Sequence, residues 1–130
     1  MSVIDQIEAL ATQLRSEGHD VVTPDLSELD DRWDDLTLAQ QVDAKRSFID
    51  KYLDEIRIAD AVVIANFTNK NTPGYVGANT LIEAAFAKAL GIPVYLVEEP
   101  GPQPCQVEIL ALQTPAQEGA PLNLAPPRTT

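Results

Sequence analysis

The amino-acid sequence predicts an α/β domain with an open parallel sheet and helices on both faces. Segments with apolar residues three and four positions apart alternate along the chain with short, nearly unbroken apolar runs. This alternation is typical of strand–helix–strand units, in which consecutive strands are parallel and helices cover the sheet. The 130 residues are enough for one compact core and too few for a second independent domain.

The first helix is predicted at residues 3–14, where the apolar side chains share one face. Gly18 supplies a C-terminal stop, because glycine readily adopts the left-handed conformation that ends many helices. Residues 20–23 contain two valines and precede a proline, which predicts a short buried strand. The acidic stretch at residues 24–36 is predicted to be a surface loop.

A long second helix is predicted from Thr37 to about residue 58. Thr37 and Gln40 have the spacing of a capping box, in which each residue satisfies an amide at the start of the helix. The apolar spacing that follows defines an inward face. Its members are Phe48, Ile49, Tyr52, Leu53 and Ile56.

The apolar run at residues 60–66 has the pattern of a central parallel strand covered on both faces. A loop at residues 67–79 is expected next, then a helix at residues 80–90 that stops at Gly91, and a strand at residues 93–97. These elements complete a right-handed strand–helix–strand unit. Ligands of such sheets bind at the carboxyl edge of the strands.

The chain becomes rich in proline beyond Glu98. Residues 107–112 permit one or two helical turns. We therefore expect a folded domain at residues 1–112, followed by a proline-rich, mobile tail at residues 113–130.

Composition limits the partners. The formal net charge of −11, with no cluster of lysine and arginine to offset it, disfavours polymeric nucleic acid. A small nucleoside or nucleotide is still compatible, because loop amides and a helix N-terminus can hold one phosphate. Cys105 and His19 form no metal-ligand pattern, so we expect no disulfide, metal or organic cofactor. No segment has the length of a membrane span or the pattern of a leader, which favours a cytoplasmic protein.

The most informative stretch is Gly74-Tyr-Val-Gly-Ala-Asn-Thr-Leu-Ile-Glu83, which turns through two glycines and enters a helix. It resembles the nucleoside 2-deoxyribosyltransferase-like family, in a branch with the pattern Asn-Phe…Gly-Tyr-Ile-Gly-x-Asn-Thr-x-x-Glu. The resemblance extends from about residue 19 to residue 112 and includes residues 59–66, Ala87 and residues 91–97. It implies a Rossmann- or flavodoxin-like fold and a nucleoside or nucleotide ligand.

The resemblance also implies roles for individual residues. In catalytic members the glutamate that matches Glu83 attacks the anomeric carbon of a nucleoside, releases the base and forms a glycosyl-enzyme. Tyr52 is then the second catalytic candidate, because its hydroxyl can hydrogen-bond Glu83 or the sugar. The expected substrate-binding residues are Asn66, Gly74, Tyr75, Gly77, Asn79, Thr80 and Trp33.

Several of these residues have an equally good structural interpretation. Thr80 and Glu83 have the spacing of a capping box, and Asn79 or Thr80 suits a plain N-cap. Tyr52 has the spacing of a core aromatic residue, and Trp33 can cover the edge of the core. The sequence leaves both interpretations open for each residue.

The chain departs from the family in two ways. Tyr52 stands where catalytic relatives carry an aspartate, and the first strand of the family, with its glycine- or serine-bearing loop, is missing. Either the chain is part of a longer protein, or residues 21–23 pair with residues 61–65, or a partner chain fills the gap. The exposed edge that results favours a homo-oligomer, most simply a dimer.

Three functions are compatible with the sequence. The first is an N-glycosidase or deoxyribosyltransferase-like enzyme acting on a nucleoside or nucleoside monophosphate. The second is a non-catalytic nucleotide-binding module that keeps the glycine loop. The third is an assembly protein that shares only the fold.

Overall fold

The computed structural model describes residues 3–23, 31–117 and 124. The helices and strands of these residues are α1 (Val3–Ser16), α2 (Leu38–Arg57), β1 (Val62–Ile64), α3 (Ala78–Ala89), β2 (Val94–Leu96) and α4 (Gln106–Leu112). Short 3-10 helices lie at Asp31–Asp35 and Pro115–Gln117. The predicted α/β class is confirmed, and α4 lies where helical turns were expected.

The two strands form a parallel pair that is joined through α3. Val62 lies opposite Val94, and Ile64 lies opposite Leu96. The ladder continues past both ends of the pair, because the Val62 amide donates to the Pro93 carbonyl and the Val97 amide donates to the Ile64 carbonyl, at 2.9 and 3.1 Å. The strand–helix–strand unit is therefore present. A larger open sheet with helices on both faces stays a prediction.

One face of this sheet carries the core. Side chains alternate along a strand, so Ile64 and Leu96 point to the same face, and both are buried. Ala84 and Ala87 lie on α3 against this core and are fully buried, because alanine lets the helix approach closely. The remaining buried members of the cluster are Ile56, Val76, Val94 and Ile109.

The helix ends follow the sequence signals closely. The Gln40 amide donates to the Thr37 hydroxyl and the Thr37 amide donates to the Gln40 side chain, at 3.2 and 2.9 Å, which confirms the capping box. Gly18 and Gly91 both have positive φ, at 96° and 73°, just beyond α1 and α3. Both predicted stops are therefore confirmed, with α1 ending two residues later than expected.

The predicted strand at residues 20–23 is wrong. These residues form no strand, Val22 is 66% exposed, and the Val21 carbonyl accepts a hydrogen bond from the Arg15 side chain at 2.9 Å. No strand within the described part of the chain lies beside the outer edge of β1, so the pairing with residues 61–65, one of the three alternatives, is not present. Two valines without a paired neighbour bury too little apolar surface to hold a strand in place.

The outer edge of β2 is closed by residues that were assigned to a mobile tail. The Thr114 amide donates to the Val94 carbonyl at 2.9 Å, and the Val94 amide donates to the Thr114 hydroxyl at 2.7 Å. The side-chain amide of Gln117 binds both the amide and the carbonyl of Leu96, at 2.7 and 2.6 Å. The tail prediction is thus wrong for residues 113–117. The rest of the predicted tail, except residue 124, lies outside the described residues.

Gln117→Met tests how much this closure contributes to stability. The substitution keeps side-chain length but leaves two buried backbone groups of Leu96 without partners, so the free energy of unfolding should fall by about 1 to 3 kcal/mol. Gln113→Met is the matched control, because the side chain of Gln113 donates to the Gln117 side chain, at 3.2 Å, and to no backbone group of β2 among the described residues. Urea denaturation measures both variants. Equal losses for the two would contradict the role given to Gln117.

Candidate functional site

The candidate site lies at the carboxyl edge of the sheet, where two loops meet. The glycine loop (residues 73–77) leads from β1 into α3, and the return loop (residues 97–105) leads from β2 into α4. The Gly101 amide donates to the Pro73 carbonyl at 2.7 Å and joins the two loops directly. The predicted site residues of the glycine motif therefore lie where ligands of parallel sheets bind.

Asn66 is the buried polar residue that connects the two strand ends. Its side-chain oxygen accepts the amides of Val97 and Glu98, at 2.9 and 3.0 Å. Its side-chain nitrogen donates to the carbonyls of Glu98 and Gly74, at 2.6 and 3.4 Å. A carboxamide has two acceptor and two donor positions, and all four are used here. Asn66 was predicted to contact substrate, but its side chain has no hydrogen-bonding capacity left for a ligand.

Gly74 is required by the packing of the two loops. It is buried, with φ at 61°, and a Cβ atom there would lie 2.5 Å from the Glu99 carbonyl oxygen and 2.7 Å from the Pro100 Cα. Both neighbours are backbone atoms that cannot move aside cheaply. Gly74 was predicted to bind substrate, but the close approach that its missing side chain permits is made by the return loop.

Gln103 is a site residue that sequence reasoning missed. Its side-chain oxygen accepts the Val76 amide at 2.9 Å, and its nitrogen donates to the carbonyls of Gly74 and Gly101, at 3.1 and 3.2 Å. The Cys105 thiol adds a contact to the Val76 carbonyl at 3.6 Å. No motif or spacing marks a glutamine in a proline-rich stretch, so the sequence carried no signal for it.

A tight turn before the glycine loop places a positive charge next to Tyr75. Asn69 and Thr72 exchange two backbone hydrogen bonds, and the two residues between them, Lys70 and Asn71, have φ of 51° and 61°. Two consecutive positive φ angles are typical of a type I′ turn. The Lys70 ammonium lies over the Tyr75 ring, 5.4 Å from its centroid.

The start of α3 differs from the prediction. Gly77 is the N-cap and the helix begins at Ala78, so Asn79 and Thr80 belong to its first turn. The predicted capping box is therefore wrong, because Thr80 and Glu83 both lie inside the helix. Gly77 has φ of −83°, and a Cβ atom there would meet only Tyr75 ring and hydroxyl atoms, at 3.8 and 4.0 Å. The N-cap thus brings no side-chain acceptor to the first amides of α3.

Glu83 and Tyr52 occupy facing helices. Glu83 lies in the second turn of α3 and Tyr52 lies in α2, and both side chains are partly buried. One turn beyond each residue, Ala87 and Ile56 are buried in the common core. The Arg57 guanidinium lies 5.8 Å from the centroid of the Phe86 ring and links the same two helices. Helical periodicity therefore puts both predicted catalytic residues on the core-facing sides of their helices.

Trp33 belongs to a different part of the surface. It lies in the 3-10 helix Asp31–Asp35 and is partly buried. Its carbonyl accepts a hydrogen bond from the Gln41 side chain at 3.1 Å, and the Lys45 ammonium lies 5.4 Å from its ring centroid. These contacts attach Trp33 to the N-terminal half of α2, and they support its interpretation as a covering residue.

The described residues contain no group of three or more histidine, cysteine, aspartate and glutamate side chains that could hold a metal ion. Within the same residues, no helix combines the length and the apolar character that crossing a membrane requires. This edge of the sheet carries the Tyr75 ring, the Lys70 ammonium beside it and the glycine-capped start of α3.

Gly74→Ser should lower the free energy of unfolding, whereas Gly77→Ser should leave it nearly unchanged. A side chain at Gly74 meets backbone atoms and a positive φ, so the free energy of unfolding should fall by about 3 kcal/mol or more. A serine at Gly77 fits the backbone and is a favourable N-cap, so stability should change by less than about 0.5 kcal/mol or rise slightly. Thermal and urea unfolding compare the variants. A well-tolerated serine at Gly74 would contradict the loop packing described here.

Comparison with known proteins adds no relative to this picture. No family model, no curated protein and no solved structure matches the chain. The resemblance to the nucleoside 2-deoxyribosyltransferase-like family therefore depends on the residues of the glycine motif and the strands around it, and it stays a prediction.

Proposed function

We propose that the protein is an enzyme that cleaves the N-glycosidic bond of a nucleoside or nucleoside monophosphate. The observation that carries the proposal is the position of Glu83. Its partly buried carboxylate lies in the second turn of a helix that begins at a glycine cap beside Tyr75. Because the helix begins at Ala78, Glu83 is not consumed by a capping box.

The reaction follows from the chemistry of a carboxylate beside a sugar. A Glu83 oxygen attacks the anomeric carbon, the bond from that carbon to the base nitrogen breaks, and its electron pair leaves with the base, which takes up a proton. The product is a glycosyl ester of Glu83. Water then attacks the same carbon in a hydrolase, or a second base attacks it in a transferase, and Glu83 is released as a carboxylate.

The neighbouring residues have defined parts in this proposal. Tyr52 orients Glu83 or a sugar hydroxyl across the α2–α3 contact. Asn79 and Thr80, in the first turn of α3, bind sugar hydroxyls, and the Tyr75 ring packs against the sugar or base. In a protein of net charge −11, the Lys70 ammonium beside Tyr75 provides local compensation for a 5′-phosphate.

A second candidate function is supported by one specific observation. The resemblance to the nucleoside 2-deoxyribosyltransferase-like family puts Tyr52 where catalytic members carry an aspartate, and the Lys51 ammonium lies 5.5 Å from the centroid of its ring. A phenol is a much weaker proton acceptor than a carboxylate at neutral pH. A non-catalytic nucleotide-binding module would keep the glycine loop and Tyr75 and would not turn over its ligand.

Glu83→Gln separates these two functions. The protein is incubated with 2′-deoxynucleosides and their 5′-monophosphates, and the release of free base is measured by chromatography. Because the amide is a poor nucleophile, the rate should fall on the order of a thousandfold or more. Glu99→Gln is the matched control, since Glu99 is an exposed residue at the same edge, and its rate should not change. Base release that survives Glu83→Gln would contradict the mechanism, and nucleotide binding without base release would favour the binding module.

We also infer a homodimer that forms through β1. The outer edge of β2 is closed by Thr114 and Gln117, whereas no strand within residues 3–23 and 31–117 covers the outer edge of β1. A twofold axis beside β1 would let two copies pair these edges and satisfy the backbone groups of Val63.

Light scattering at two salt concentrations tests the dimer. Each copy carries a net charge of −11, so screening by salt should increase the dimer fraction at micromolar protein. Val63→Pro removes the amide that faces away from β2 and should shift the protein toward monomer without breaking the β1–β2 pair. A monomer of unchanged mass at low and high salt would contradict the inference.

A further inference from the structure

We infer that Gln103 is the positioning residue of the glycine loop and sets the place of Tyr75 at the candidate site. Its consequence for catalysis depends on the proposed function, but its effect on the loop does not. Gln103 touches neither of the predicted catalytic residues in the contacts described above. It acts through the backbone that carries the substrate-binding motif.

The hydrogen bonds of Gln103 hold the chain on both sides of Tyr75. The side-chain oxygen accepts the amide of Val76, the next residue, and the side-chain nitrogen donates to the carbonyl of Gly74, the residue before. A second bond from the same nitrogen, to the Gly101 carbonyl at 3.2 Å, anchors the glutamine in the return loop. One carboxamide therefore restrains the backbone angles from which the tyrosine ring projects.

No other side chain described at this edge holds the loop in the same way. Asn66 also reaches the Gly74 carbonyl, but at 3.4 Å, and its three shorter bonds go to Val97 and Glu98. Asn66 thus joins the strand ends, whereas Gln103 holds Gly74 and Val76. The Cys105 contact to the Val76 carbonyl is longer still, at 3.6 Å.

The position of Tyr75 matters because the Lys70 ammonium and the N-cap of α3 both lie next to its ring. The Lys70 ammonium lies over its ring, and its ring and hydroxyl atoms would lie 3.8 and 4.0 Å from a Cβ atom at Gly77, the N-cap of α3. A loop that relaxes around Tyr75 would move the ring relative to both. Displacements near 1 Å in a site are enough to lower catalytic efficiency substantially.

The chain offers a matched control in Gln106. Its side-chain nitrogen donates to the Pro100 carbonyl at 3.1 Å, so it also holds the return loop, without a bond to residues 74–76. Both glutamines are partly buried. Methionine at either position keeps the length of the side chain and removes its hydrogen bonds.

Nuclear magnetic resonance of the whole protein tests the inference without any ligand. In Gln103→Met, the Val76 amide should exchange with solvent about tenfold faster or more, because its acceptor is gone. The ring-current shift that Tyr75 imposes on the Lys70 side chain should change as well. Gln106→Met should leave both signals at wild-type values. Unchanged exchange at Val76 and unchanged Lys70 shifts in Gln103→Met would overturn the inference.

Gln103→Glu provides a second variant if the methionine variant does not fold. The carboxylate still accepts the Val76 amide but cannot donate to Gly74 or Gly101, so Val76 should stay protected while the Gly74 and Tyr75 resonances shift. Unshifted resonances there would overturn the inference.

Kinetics with 2′-deoxynucleoside 5′-monophosphates then separate positioning from stability. Well below the unfolding midpoint, Gln103→Met should raise KM by about tenfold, while Gln106→Met keeps the wild-type KM. A moved loop with wild-type KM and kcat would overturn the positioning role. If the wild-type protein releases no base, the proposed function fails, and the resonance measurements alone decide the role of Gln103.

Discussion

The side-chain amide of Asn66 is the interaction on which the carboxyl edge depends. The β1–β2 pair is only three residues long on each strand, so its own ladder contributes few hydrogen bonds. Asn66 extends the connection beyond Ile64 by binding the backbone of residues 97 and 98 on one side and of residue 74 on the other. The residue is 2% exposed. Without it, the Val97 amide keeps the Ile64 carbonyl and the Gly74 carbonyl keeps Gln103, so the cost of about 1 to 3 kcal/mol for each unpaired buried group falls on the Glu98 amide and carbonyl. The two loops of the candidate site are placed by this bridge.

The two glycines of the motif, Gly74 and Gly77, have different structural roles. Gly74 has no side chain, so the backbone of the return loop can pack directly against it. Gly77 has ordinary backbone geometry, and a Cβ atom there would make only normal contacts with Tyr75 at the start of α3. The proposed ligand binding therefore needs tight loop packing at Gly74 and a helix start without a side chain at Gly77. Gln103 connects these requirements, because it holds the loop between them.

The two outer edges of the sheet differ in what lies beside them. On the β2 side, Thr114 and Gln117 replace a neighbouring strand with a hydroxyl, an amide and a carboxamide. Such a closed edge cannot recruit a further strand, which leaves β1 as the side where assembly would occur. The acidic surface opposes close approach of two copies, so any pairing there has to outweigh charge repulsion.

Local sequence patterns were enough to predict the α/β class, the parallel unit around α3, the capping box at Thr37 and the helix stops at Gly18 and Gly91, because periodicity, caps and glycine conformations are local properties. The contacts of the motif residues, in contrast, follow from the way the loops pack in the folded chain. Asn66 and Gly74 stand out in the sequence, yet both make their contacts with the return loop and not with a ligand. Gln103 has no sequence signal, although it holds the backbone of the motif. The strand predicted at residues 20–23 is absent for the same reason. A strand needs a neighbouring strand, and the bonds of Gln103 need two loops to meet. Local sequence patterns specify neither of these conditions.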